Sequence, residues 1–119
     1  MKPDWILLKD HTDDSLWRGA VFRMPAMYPF EEIVDFMLIN DVASESGFSL
    51  ICATGYKAGL HEGALPKEAL ALGQVHAIDR NWLLKNWLSH IYPDTEVSKI
   101  YVCTGYPMSV GGTIARIDT

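Results

Sequence analysis

A chain of 119 residues with 49% hydrophobic content can bury a core without disulfides or metal, but has no room for a second domain, so 1–119 reads as one. Its formal net charge of −5, with ten basic residues scattered rather than striped, excludes a general binder of nucleic acid or of anionic membranes. Its N-terminal apolar run spans only 5–8 and its longest uncharged apolar run 36–39, too short for a secretory core or a bilayer span, so a cytoplasmic protein with reduced cysteines is expected.

Residues 9–15 (KDHTDDS) form a polar, acidic turn. In 16–24 (LWRGAVFRM) strand-forming residues alternate loosely. A strand there puts Leu16, Ala20, Phe22 and Met24 on one face and Trp17, Gly19, Val21 and Arg23 on the other. Pro25 and Pro29 bracket the next connection. The stretch 30–40 (FEEIVDFMLIN) fits two periods. Phe30, Ile33, Val34, Met37 and Leu38 suit a helix, and Pro29 before two glutamates resembles a helix start. Against this, Ile33, Val34, Phe36 and Ile39 are strand formers. The turn-like 41–47 (DVASESG) then leads into a second β-rich run, 48–53 (FSLICA). A hairpin is the economical reading, and 30–40 is read as a strand.

Phe48, Leu50 and Cys52 alternate with Ser49, Ile51 and Ala53, and Gly55 and Gly59 permit a turn or bulge afterwards. A short strand is expected at 60–65 and a loop or single turn from Pro66. The stretch 78–94 (IDRNWLLKNWLSHIYPD) specifies a helix most fully. Asp79 can cap the first turn, Ile78 can staple onto Leu83, and Pro93 ends the run. Leu83, Leu84, Trp87, Leu88 and Ile91 recur at helical spacing, with Trp82 on the flank and Arg80, Lys85, Asn86 and Ser89 opposite. One side of this helix must be covered. A last strand is expected at 97–103 (VSKIYVC), before TGYP and the glycine-containing 109–112. The order predicts an α+β domain: a mainly antiparallel sheet of about four to six strands with one principal helix, 79–92, on one face. CATGY at 52–56 and CTGY at 103–106 echo one another without establishing a repeat.

No catalytic set emerges. His61-Glu62 begins like a zinc-protease motif, but Leu65 stands where the second histidine is needed. Asp10, His11, Asp13 and Asp14 lack calcium-loop spacing, so a solvated turn is the plainer reading. Neither metal nor cofactor is expected. Cys52 or Cys103 could be a nucleophile served by His11, His61, His76 or His90, yet both lie in apolar strands where thiols usually fill space. Gly47 to Ile51 lacks the second glycine of a nucleophile elbow, and Gly111-Gly112-Thr113 lacks the lysine of a phosphate loop. An enzyme is not expected. Tyrosines stand in or beside turns at Tyr28-Pro29, Tyr56-Lys57, Tyr92-Pro93-Asp94 and Tyr106-Pro107, where they either anchor loops or offer rigid recognition area. Acids Asp41, Glu45, Glu62, Asp94 and Glu96 lie near them in sequence, with solvation as the plain reading.

Across 15–107, the strings SLWRG, YPFEEIVDF, SGFSLICATGYKAG, LPKEA, NWLLKNWLSHIYPD and VCTGYP resemble small immunity proteins of bacterial polymorphic-toxin and contact-dependent growth-inhibition systems. They most resemble immunity protein family forty-five. The resemblance implies a cytosolic α+β inhibitor that binds and neutralises a cognate toxin C-terminal domain, and the negative charge suits a basic nuclease. Trp17, Gly19, Tyr56, Gly59, Trp87 and Pro93 match the pattern as residues that hold a fold. Candidate toxin-binding residues are Asp41, Glu45, Tyr56, Lys57, Glu62, Tyr92, Asp94 and Tyr106. A small-molecule-binding or enzymatic domain with its pocket under the tyrosine-bearing loops is the alternative.

Overall fold

In a computed structural model, which describes residues 5–73 and 76–105, the described chain forms eight strands. They are β1 (Ile6–Leu7), β2 (Ser15–Trp17), β3 (Val21–Pro25), β4 (Ile33–Asn40), β5 (Phe48–Cys52), β6 (His61–Ala64), β7 (Ala77–Asp79) and β8 (Tyr101–Cys103). Six make one sheet in the order β1-β8-β3-β4-β5-β6, every neighbouring pair antiparallel. Strands β2 and β7 pair separately. Helix α1 (Arg80–Asn86) continues into a π-helical turn, Trp87–Ile91. This is the expected α+β arrangement. Among the described residues no helix is long and apolar enough to cross a membrane.

The alternation of β4 explains how the layers meet. Val34, Phe36 and Leu38 point inward beside Phe22 and Met24 of β3, Leu50 and Cys52 of β5 and Val102 of β8. Leu83 and Trp87 close this layer from above, with the Trp87 ring 5.3 Å from Phe22 and 6.4 Å from Phe36. Non-directional burial of such rings dominates the stabilisation of a domain this size. On the other face, Asp35 is buried and accepts two hydrogen bonds from Arg23, at 2.8 and 2.9 Å, while the Arg23 guanidinium lies 4.2 Å over Trp5. An acid can be buried there because a forked cation meets both of its oxygens.

Stretch 30–40 is therefore a strand, and the helical alternative fails because its buried row has period two. Stretch 16–24 is not one strand. Gly19 has φ +94 and turns the chain between β2 and β3, a conformation that favours glycine. Asp79 caps α1 as expected, its carboxylate accepting the Trp82 N–H at 3.1 Å. Ile78 lies in β7 opposite Leu16 and is buried in the same core cluster as Leu83. The Tyr92 N–H reaches the Trp87 carbonyl five residues back, at 2.9 Å. That wider turn shifts the helical face, so Leu88 is exposed instead of joining Leu83 and Trp87. Arg80, expected on the polar face, instead holds the 9–15 turn through the Lys9 and His11 carbonyls and the Asp14 carboxylate. Stretch 97–103 divides into a 3₁₀ turn, Val97–Lys99, and β8. Lys67–Ala69 is the single turn expected after Pro66.

Candidate functional site

At one end of β4, the connections 26–32 and 53–60 emerge side by side. The Ala26 N–H donates to the Glu32 carbonyl and the Phe30 N–H to the Met27 carbonyl, each at 2.9 Å. The Tyr92 hydroxyl accepts the Met27 N–H at 2.9 Å. Phe30 packs edge-on against Tyr92 and Phe36, at 5.4 and 5.8 Å, and Lys57 Nζ sits 5.4 Å above its ring. The two connections are tied directly by Glu31, which accepts the Tyr56 N–H at 2.9 Å. Gly55 is required twice: its φ is +74, and a Cβ would collide with the Glu31 carboxylate. From this pinned base Tyr28 (96%), Tyr56 (84%), Met27 (60%) and Leu60 (52%) project into solvent. Beside them a cleft of about 340 Å³ runs between Pro25, Met27 and the segment from Pro93 to Glu96.

The opposite end lies roughly 23 Å away along β4, at about 3.3 Å per residue. Here the 41–47 turn is closed by its own polar groups. The Asp41 N–H donates to the Gly47 carbonyl at 2.8 Å, and the Asp41 carboxylate accepts from Ser49 Oγ at 2.6 Å and the Ala43 N–H at 3.0 Å. His61 Nε2 stands 3.4 Å away. The Ser49 hydrogen bond, then the Ala43 hydrogen bond, hold the Asp41 carboxyl below its ordinary range despite opposing desolvation. Ser44 Oγ donates to the Leu65 carbonyl at 2.8 Å. Glu45 and Val42 are exposed. Trp17, Arg18, Asn40, Phe48 and His76 line a hollow of about 440 Å³ nearby.

The expected residues thus fall into two groups. Tyr56, Lys57, Glu62 and Asp94 belong to the tyrosine end, whereas Asp41 and Glu45 belong to the far turn. Tyr92 is 7% exposed, and its hydroxyl and ring hold the 26–32 connection from beneath. Tyr106 lies outside the described residues. Burial pushes the Glu62 carboxyl up, an effect opposed by Lys57 and His61. Glu31, Met27 and Leu60 were absent from the sequence-based candidates. Tyr28 was signalled by its Tyr-Pro turn, but the Glu31–Tyr56 tie spans 25 positions and has no local signature.

The charges differ too. Five acids at the tyrosine end, Glu31, Glu32, Glu62, Asp94 and Glu96, face two lysines, Lys57 and Lys99. Around the far turn Asp41, Glu45 and Glu68 face Arg18 and Lys67. Most of the chain's net negative charge therefore concentrates beside the exposed tyrosines.

The chemistry available to the described residues is modest. Cys52 and Cys103 each end a strand and donate to a carbonyl two residues on, Thr54 and Gly105, both at 3.2 Å. This is the physical content of the CATGY and CTGY echo. Burial pushes both thiols up, which keeps them protonated and poorly nucleophilic. Ser49 Oγ donates its hydrogen bond to the Asp41 carboxylate, which is not the serine-to-histidine relay of a serine hydrolase. Among the described residues no three histidines, cysteines or acids gather to hold a metal.

Fold and surface define a small α+β domain that presents side chains from fixed turns. The family model described as Immunity protein 45 matches residues 8–102, most of the chain, and the chain belongs to that family. No curated protein and no solved structure matches it.

Proposed function

We propose that this chain is a cytoplasmic immunity protein of a polymorphic-toxin or contact-dependent growth-inhibition system. It acts without catalysis by binding a cognate toxin C-terminal domain, and that domain is a basic nuclease. The observation carrying this reading is the Immunity protein 45 match over 8–102. The net charge of −5 supports a basic partner, because opposite fields accelerate encounter and suppress wrong pairings. Neutralisation then needs a surface that covers the toxin and no reacting group of its own.

The test pairs the purified protein with the toxin domain encoded by the neighbouring upstream gene. Binding and protection of toxin-expressing cells are expected, with association slowing as added salt shortens the screening length, about 8 Å at physiological ionic strength. Failure to bind or protect would overturn the cognate-immunity reading. Association indifferent to salt would overturn the basic partner and leave immunity standing. Carriage of a small metabolite in place of any protein partner would favour the pocket-bearing alternative.

A further inference from the structure

We infer that the toxin is held at the tyrosine end of the sheet, with Tyr28 and Tyr56 as paired anchors inside an acidic rim, and not at the Asp41–Glu45 turn. The inference rests on the proposed toxin-binding function and specifies where that function resides.

Three observations converge on this end. Tyr28 and Tyr56 expose nearly their whole side chains, beside Met27 and Leu60, although exposed tyrosine and methionine are what interface centres favour. Their backbones are nonetheless fixed: the Tyr56 N–H is held by Glu31, the Met27 N–H by the Tyr92 hydroxyl, and Phe30 is wedged between Tyr92 and Lys57. A rigid backbone bearing two-torsion aromatic side chains loses little entropy on binding. The surrounding charge is strongly one-sided, and both local lysines are engaged, Lys57 over Phe30 and Lys99 3.7 Å from Glu96.

The adjoining cleft fits the same partner. Pro25, Met27 and Pro93 wall it, while Asp94, Thr95, Glu96 and Lys99 make its polar side. Lys99 stands 3.7 Å from Glu96 there, so the cleft continues the recognition surface as a mixed apolar and charged edge. The occupant is therefore a basic protein surface that offers a flat apolar patch to the tyrosines and a cationic rim to the acids around them. The far turn offers less, because the Asp41 carboxylate is already engaged by Ser49, Ala43 and His61.

The experiment measures toxin-domain binding kinetics for single variants, with a melting curve for each. Tyr28→Ala and Tyr56→Ala should each weaken binding by roughly 30-fold or more, mainly through faster dissociation. Asp94→Lys and Glu32→Lys should slow association several-fold and flatten its salt dependence. Glu45→Lys at the far turn should change neither. All five side chains are exposed, so melting temperatures should stay near wild type. Hydrogen exchange on the wild-type complex supplies a variant-free readout, with protection expected at 26–32 and 54–60. Tyrosine variants that bind like wild type, or protection confined to 41–47, would overturn the placement while immunity stands. Wild type that fails to bind at all would overturn the function on which the placement rests.

Discussion

The connections at the two ends of β4 are closed in different ways. In 41–47 the closing groups are mostly neighbours: Asp41 holds Ala43 and Ser49, and Ser46 bonds back to the Phe48 N–H. In 26–32 two local backbone bonds, Ala26 to Glu32 and Phe30 to Met27, are joined by partners 25 positions away at Tyr56 and 65 positions away at Tyr92. A locally closed turn can form as soon as its own residues are in place. A turn that also depends on distant partners is fixed fully only once the sheet and helix are in place, and is then held at several separated points. The first arrangement uses its polar groups internally, while the second leaves its projecting side chains free for contact.

Losing the shared support should erase this contrast. Trp87→Ala removes a fully buried ring that touches Phe22 and Phe36 and should cost about 3–5 kcal/mol, destabilising both ends together. A melting curve matching wild type would disprove the central role of that ring. Tyr92→Phe keeps the ring but leaves the Met27 N–H without its acceptor, at about 1–3 kcal/mol. Amide exchange should quicken in 26–32 and not in 41–47; equal quickening at both would show that the two ends are not independent. Glu31→Ala removes the tie to Tyr56 at about 1 kcal/mol, and should be read by faster exchange of the Tyr56 amide.

The far turn has a different sensitivity. Because the folded Asp41 carboxyl lies below its ordinary 3.8, its stabilising contribution is present above that value and is lost as pH falls through the folded pKa. Denaturation from pH 5 down to pH 2 should therefore show an acid-sensitive component that Asp41→Asn diminishes. An unchanged pH profile in the variant would mean that the carboxylate is not holding the turn. The smallest effect belongs to Glu45→Lys, which should shift stability by no more than about 0.5 kcal/mol.

The same division governs what could be read from the residues. The 41–47 turn, the strands flanking it and the Asp79 cap were legible because each depends on near neighbours. Gly19 split the 16–24 strand without a warning in its alternation, and β1 and β7, of two and three residues, are too short to display any period. Of the proposed contact residues, Tyr56, Lys57, Glu62 and Asp94 do stand at one end. Tyr92 resembled them in its loop-like setting before Pro93, yet the π-helical turn carries it into the core. Asp41 resembled a solvated charge because the Ser49 hydroxyl that claims it is visible only once the hairpin pairs.

The π-helical turn also makes residue number, apart from residue identity, a structural quantity. An α-helix advances about 100° and 1.5 Å per residue, and Trp87–Ile91 accommodates its chain by bonding five residues back instead of four. Deleting exposed Leu88 would favour an ordinary α-helical turn in which the Tyr92 N–H still closes onto the Trp87 carbonyl, now four residues back, and would keep Tyr92 aimed at the Met27 amide. Substituting Leu88 would leave that alignment in place. The wider turn therefore works as a take-up for one extra residue, and a homologous chain one residue shorter here could close an α-helical turn and keep the same aim of its tyrosine platform.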